Sequence, residues 1–131
     1  VLCPSNPYLS IDPVLAVPGM RAALRAARVP VIAVSPLIGG KAVKGPTAKI
    51  MRELGVAATI DAVAAHYGPL VDAYVIDHAD AAAAAALGIE FAVTNTLMRT
   101  LDDRERVAAS ALELAQSMRA RRVLQTDRRV S

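Results

Sequence analysis

The sequence predicts an α/β fold, a Rossmann-like parallel sheet with crossover helices that forms part of a larger domain. Three observations lead there. Short apolar runs at residues 31–34, 73–76 and 90–93 have strand length and few charges, as expected of strands covered on both faces. Helical segments lie between these runs, and such alternation marks a parallel sheet with helical crossovers. Hydrophobic residues make up 54% of the 131-residue chain but aromatics only 3%, so the core is built from Ala, Val, Leu and Ile, the usual filling between helices and a buried sheet.

The elements follow in order. Val1-Leu2-Cys3 reads as the end of a strand that breaks into the stiff loop Pro4-Ser5-Asn6-Pro7. A first helix is predicted over 18–27, with Pro18 at a tolerated first-turn position and Met20, Ala23, Leu24 and Ala27 as its apolar face. The strand at 31–34 breaks into Ser35-Pro36-Leu37-Ile38-Gly39-Gly40-Lys41-Ala42-Val43-Lys44. A second helix opens with Gly45 as N-cap and Pro46 at its first position, and Gly55 closes it. A third spans 60–67 and ends at Gly68-Pro69. The fourth, 79–87, is bounded by Gly88, and its alanine run implies close packing against a neighbour. The fifth, 102–118, carries acids in its first turn and arginines after its last, which complements the helix dipole. Residues 1–118 are therefore read as the C-terminal part of an α/β domain, and 119–131, with Arg119, Arg121, Arg122, Arg128 and Arg129, as a solvated basic tail.

Composition narrows the function classes. The net charge of +3 is modest and no aromatics are interleaved with the basic residues, so no nucleic-acid partner is expected. The longest apolar stretches are too short, or too interrupted by Asp and Pro, to span a bilayer, so no membrane partner is expected. The single cysteine, Cys3, excludes an internal disulfide framework and a multi-cysteine zinc site, which favours a reducing, cytoplasmic setting.

Each predicted strand delivers polar residues at its carboxyl end: Ser5-Asn6, Ser35, Asp77-His78 with Asp80, and Thr94-Asn95-Thr96. In a parallel sheet these ends share one edge, where loops expose backbone N–H groups and helix starts to an anionic ligand. Ser5 and Asn6 can donate to phosphate oxygens, and Gly39-Gly40 lets backbone approach a ligand or take positive φ. Lys41 and Lys44 add charge ahead of the helix near Pro46, although the same residues suit a plain turn with two solvated lysines. Asp77 can meet a ribose hydroxyl or a metal-bound water, or simply cap the helix that follows it. Thr94 and Thr96 can contact a ligand or close turns. His78 has no serine or cysteine partner at interpretable spacing, which argues against a hydrolase triad, and His66 beside Tyr67 reads as structural.

These residues also carry a resemblance. Cys3-Pro4-Ser5-Asn6-Pro7 with Ser10-Ile11, Leu15-Ala16-Val17-Pro18-Gly19-Met20, the run from Ser35 to Pro46, Val75-Ile76-Asp77 and Thr96-Leu97-Met98 resemble the 2-phospho-L-lactate transferase family of coenzyme F-420 biosynthesis, from Val1 to about Ala115. The resemblance implies a transferase in which the terminal hydroxyl of the deazaflavin precursor Fo attacks a guanosine-diphosphate-linked small acid, releasing GMP. The acid is phospholactate, phosphoenolpyruvate or 3-phosphoglycerate. It implies nucleotide contacts from Ser5, Asn6, Ser10, Ser35, Gly39, Gly40, Lys41 and Lys44, deazaflavin or ribose contacts from Asp77, Thr94 and Thr96, and a homodimer. Family members hold magnesium with aspartates of an N-terminal half that has no counterpart here, so the magnesium ligands are expected outside this chain and no transferase activity is expected of these residues alone.

Two rival classes accompany this reading. One is a non-catalytic nucleotide-binding regulator of a related fold family, which a Ser-Leu-Tyr first loop would suggest and Ser5-Asn6-Pro7 does not. The other is an interaction module that functions only in assembly, betrayed by self-association through an uncovered sheet edge.

Overall fold

The computed structural model describes residues 1–42 and 45–127. The sheet is parallel, with β1 (Ile32–Val34), β4 (Ala73–Asp77) and β5 (Phe91–Thr94) in the order β1-β4-β5. Leu2 extends it beyond β1: its N–H donates to the Ile32 carbonyl at 2.8 Å and its carbonyl accepts from the Val34 N–H at 2.9 Å. The expected strand end at Val1-Leu2-Cys3 is thus a parallel bridge on the outer side of β1.

The two-residue period of a strand explains why these segments are apolar throughout. Ala33, Tyr74 and Ile76 point to one face, where they pack with Leu37, Met51, Ile60, Val63, Tyr67 and Ala84. Ile32, Val34, Ala73 and Val75 point to the other and meet Val107, Ala111 and Met118. The first face is covered by α3 (Thr47–Glu53), α4 (Ile60–Tyr67) and α5 (Ala81–Leu87), and the second by α6 (Leu101–Asp127). Fully burying one Val, Leu or Ile side chain stabilises by about 1.5–3 kcal/mol, so both faces draw the sheet together. Tyr74 pays a local penalty here: its hydroxyl is buried with no partner among the described residues, and burial pushes the phenol up to about 12.

Several elements depart from the sequence expectations. The helix expected over 18–27 is α2 (Met20–Ala26), which starts after Gly19 at φ 83°, and a separate short helix, α1 (Asp12–Leu15), precedes it after a wide π-type turn at Pro7–Ile11. No residue of α2 is buried, and Ala23 and Ala27, expected on an apolar face, are exposed. The loop after β1 is a small antiparallel hairpin, β2 (Leu37–Ile38) and β3 (Lys41–Ala42), turned by Gly39 and Gly40 at φ 56° and 71°. Two successive positive φ values belong to the turn that matches the twist of a two-residue hairpin, and that is what the glycine pair does. The predicted helix at 60–67 is α4, N-capped by Thr59. Of the alanine run only Ala84 is fully buried, so one residue makes the close contact expected of the whole helix. α6 runs through residue 118 without a break, and Arg121 and Arg122 pair with Glu90 and Asp72 rather than standing in solvent alone. No helix of the described residues is long and apolar enough to cross a membrane.

Candidate functional site

At the carboxyl ends of the Leu2 bridge and β1 lies a cleft of about 630 Å³. Its walls come from four places in the chain: the 3–10 loop and turn, the Ser35-Pro36 bend after β1, the Gly45-Pro46-Thr47 start of α3, and Thr96, Met98 and Arg104 around the start of α6.

Asn6 organises the first wall. Its Oδ1 accepts from the N–H groups of Tyr8 at 3.0 Å and Leu9 at 3.1 Å, capping the turn at Pro7–Ile11. That fixes the carboxamide and leaves Nδ2 buried without a partner among the described residues. Ser5 is half-buried and Ser10 exposed on the same wall. The turn is held from behind by α4: His66 Nε2 lies 3.0 Å from the carboxylate of Asp12, and its ring packs tilted at 58° against Tyr8, with centroids 4.6 Å apart. His66 is therefore structural, as its setting in the sequence suggested. Tyr67 beside it is held neutral, its phenol raised by burial and then by the charge of Asp12.

Ser35 lines the cleft, but its hydroxyl is engaged locally, donating to the Leu37 carbonyl at 3.3 Å and accepting from the Leu37 N–H at 3.2 Å. Thr96 lines it too, with its N–H and hydroxyl both donating to Asp77 Oδ2. Asp77 itself stands behind the wall. Burial pushes its carboxyl up, but the N–H groups of Ala79 and Thr96, the Thr96 hydroxyl and neighbouring His78 outweigh that and hold it below the usual carboxylate range. Its capping contact to Ala79 is the structural role anticipated for it.

Of the sequence candidates, Ser5, Asn6, Ser10, Ser35 and Thr96 meet at this cleft. Gly39, Gly40, Lys41, Asp77 and Thr94 do not line it. The hairpin turns Gly39 toward the start of α5, where its N–H donates to Asp80 Oδ2 at 3.0 Å, and Gly40 toward the Ala58 carbonyl, and Lys41 is exposed on β3. Lys44 lies outside the described residues. Sequence reasoning missed Thr47 and Arg104, and Met98 entered it only within the Thr96-Leu97-Met98 motif. Thr47 carried a signal, since it directly follows the Gly45-Pro46 helix start, whereas Arg104 sits inside a helix and carried none.

The donor set does not fit magnesium. Among the described residues, the polar side chains on the cleft are hydroxyls, an amide, a guanidinium and the Cys3 thiol, without a carboxylate, and no three His, Cys, Asp or Glu side chains converge on a point. The arrangement suits an oxyanion-bearing organic ligand: hydroxyl and amide donors on one wall, a cation on another, and Leu9, Pro36 and Met98 as apolar surface between them.

Fold and cleft together define an α/β protein with a parallel sheet and a cleft beyond the carboxyl ends of its strands, the place where open α/β sheets seat their ligands. Residues 1–116 match the family model of 2-phospho-L-lactate transferase CofD, and the chain belongs to that family. It is 44% identical over 120 residues to a phosphoenolpyruvate transferase of Kitasatospora aureofaciens, covering 88% of this chain and 37% of the relative. Similarity to a phosphoenolpyruvate transferase of Streptomyces griseus is 42% over 124 residues, covering 92% and 39%. To a 2-phospho-L-lactate transferase of Methanocaldococcus jannaschii it is 36% over 118 residues, covering 90% and 37%. The chain thus spans less than two fifths of the length of these relatives.

Proposed function

We propose that this chain supplies the nucleotide-side cleft of a transferase that moves a phospho-acid group from a guanosine-diphosphate-activated donor to the terminal hydroxyl of the deazaflavin precursor Fo. The hydroxyl oxygen forms a bond to the phosphorus bearing the acid, the diphosphate P–O bond breaks, GMP leaves with that electron pair, and the hydroxyl proton passes to solvent or base. No oxidation state changes. The magnesium of the family resemblance is assigned to side chains outside these residues.

The observation that supports this reading is the convergence of Ser5, Asn6 and Ser10, singled out by motif, on one cleft at the strand ends of a chain that belongs to this family. In it the Ser5 and Ser10 hydroxyls and the Asn6 amide donate to the nucleotide, Ser35 shapes the floor, and Thr96, steadied by Asp77, faces the ribose or deazaflavin. Phosphoenolpyruvate is the favoured acid, because the relatives at 44% and 42% identity carry that name and the one at 36% carries the phospholactate name. Isothermal titration of GDP into the full-length protein and into its Asn6→Ala variant tests the assignment. The expected result is binding that weakens about tenfold in the variant, as for loss of a donor to a charged group. Equal affinity in the two proteins places the nucleotide elsewhere.

A further inference from the structure

Arg104 is the one charged side chain among the described residues that line the cleft, and no carboxylate shares those walls with it. It stands at the fourth position of α6, where the dipole of a helix favours acids, and its neighbours Asp102 and Asp103 obey that preference. A cation there runs against local helix chemistry. Nor does the helix compensate it. Positions three and four residues away on either side are Thr100, Leu101, Val107 and Ala108, so no acid falls in register with it. Arg106, two residues on, shows the contrast: it donates to Asp103 Oδ1 at 2.7 Å and to the Asn95 carbonyl. Arg104 has neither an ion-pair nor a hydrogen-bond partner among the described residues.

A guanidinium that breaks the helix rule, lacks a carboxylate and faces a cleft of neutral donors is placed for a ligand's negative charge. We propose that Arg104 is the oxyanion anchor of this site, binding a phosphoryl or carboxylate oxygen of the substrate and discriminating charged nucleotides from neutral nucleosides. The charge comes from a different element of the lining than Asn6 and Ser10, so a ligand whose polar body meets the Asn6 and Ser10 wall presents its anionic end to α6. A planar fork of N–H donors suits such a group better than the ammonium of a lysine does.

This inference rests on the cleft being the substrate site, and the experiment separates the two. GDP, guanosine and phosphoenolpyruvate are titrated separately into the full-length wild-type protein and its Asn6→Ala, Arg104→Ala and Arg104→Lys variants. Arg104 is exposed, so its variants fold, which thermal melts verify. The expected result is a loss of about tenfold or more in affinity for one or both anions in Arg104→Ala, partial recovery in Arg104→Lys, and unchanged affinity for guanosine. Loss confined to GDP assigns the contact to the diphosphate, and loss confined to phosphoenolpyruvate assigns it to the acid. Wild-type affinity for the anions in Arg104→Ala, or an equal loss for guanosine, overturns the anchor while leaving the cleft assignment standing. Wild-type GDP affinity in Asn6→Ala, or no binding of any ligand to the wild type, overturns the cleft assignment and the anchor with it.

Discussion

The Asp77 carboxylate accepts both the N–H and the hydroxyl of Thr96, at 3.0 and 3.3 Å through the same oxygen, joining the carboxyl end of β4 to the segment after β5. Its other oxygen accepts from the Ala79 N–H at 3.1 Å. One buried side chain thus sets both the turn into α5 and the position of a cleft residue. Asp77→Ala leaves these donors without their acceptor, and an unsatisfied buried donor costs about 1–3 kcal/mol. We expect Asp77→Ala to lose about 2–4 kcal/mol of stability, measured as a lowered urea midpoint at unchanged slope. A change below about 0.5 kcal/mol would show that water replaces Asp77 at no cost.

The same contacts predict a pH dependence with a definite sign. Asp77 titrates below its ordinary value in the folded protein, so the unfolded chain takes up its proton first as pH falls. The stability it contributes is full above the unfolded carboxylate range, near pH 4, and is lost as pH falls through that value toward the folded one. Urea midpoints of the wild type should therefore fall between about pH 5 and pH 3 more steeply than those of Asp77→Asn, which has no charge to lose. Parallel curves for the two proteins would refute the role given to this carboxylate.

Gly39 and Gly40 both take positive φ, but their surroundings differ. A Cβ added at Gly40 would lie 3.2 Å from the Ala58 carbonyl oxygen, a backbone atom with little freedom to yield, whereas one at Gly39 would lie 3.5 Å from the Ala79 Cβ, an ordinary contact. Each Gly→Ala change carries the left-handed penalty of about 1 kcal/mol. Gly40→Ala adds the collision, so it should destabilise by about 2 kcal/mol or more and clearly exceed Gly39→Ala. Thermal unfolding of the two variants side by side checks the order, and the reverse order would contradict it.

The strands were legible because burial on both faces favours apolar residues, so residues 31–34 and 73–76 stand out as apolar runs. α4 was legible from its punctuation, the Gly68-Pro69 pair that ends it, whereas its N-cap Thr59 was not singled out. The turn at Pro7–Ile11 was not, since its cap depends on where the Asn6 carboxamide points, and the hairpin at Gly39-Gly40 has strands of two residues, too short to show a period. The same division holds in the cleft. Ser5, Asn6 and Ser35 could be read because they end strands, whereas Arg104 arrives from the side of a helix and only the packing of α6 on the sheet brings it there. Asp77 was readable as a strand-end acid but not as the acceptor for Thr96, nineteen residues on, because that pairing needs the β4–β5 register, Asp77 beside Thr94.

The alanine run gives the sharpest test of packing against composition. If composition governed α5, every alanine in it would resist enlargement, yet only Ala84 is fully buried, within the cluster that holds Ile76 and Val63, while Ala82, Ala83, Ala85 and Ala86 are exposed. Extra methylenes forced into a close-packed core cost about 1–3 kcal/mol, whereas exposed helix positions tolerate change within about 0.5 kcal/mol. Leucine is nearly as good a helix former as alanine, so propensity does not confuse the comparison. Ala84→Leu should therefore lower the urea midpoint by an amount in the larger range, and Ala83→Leu and Ala86→Leu should leave it almost unmoved. A comparable loss at Ala83 or Ala86 would mean that α5 presents a second face to a neighbour, as the unbroken alanine run first suggested.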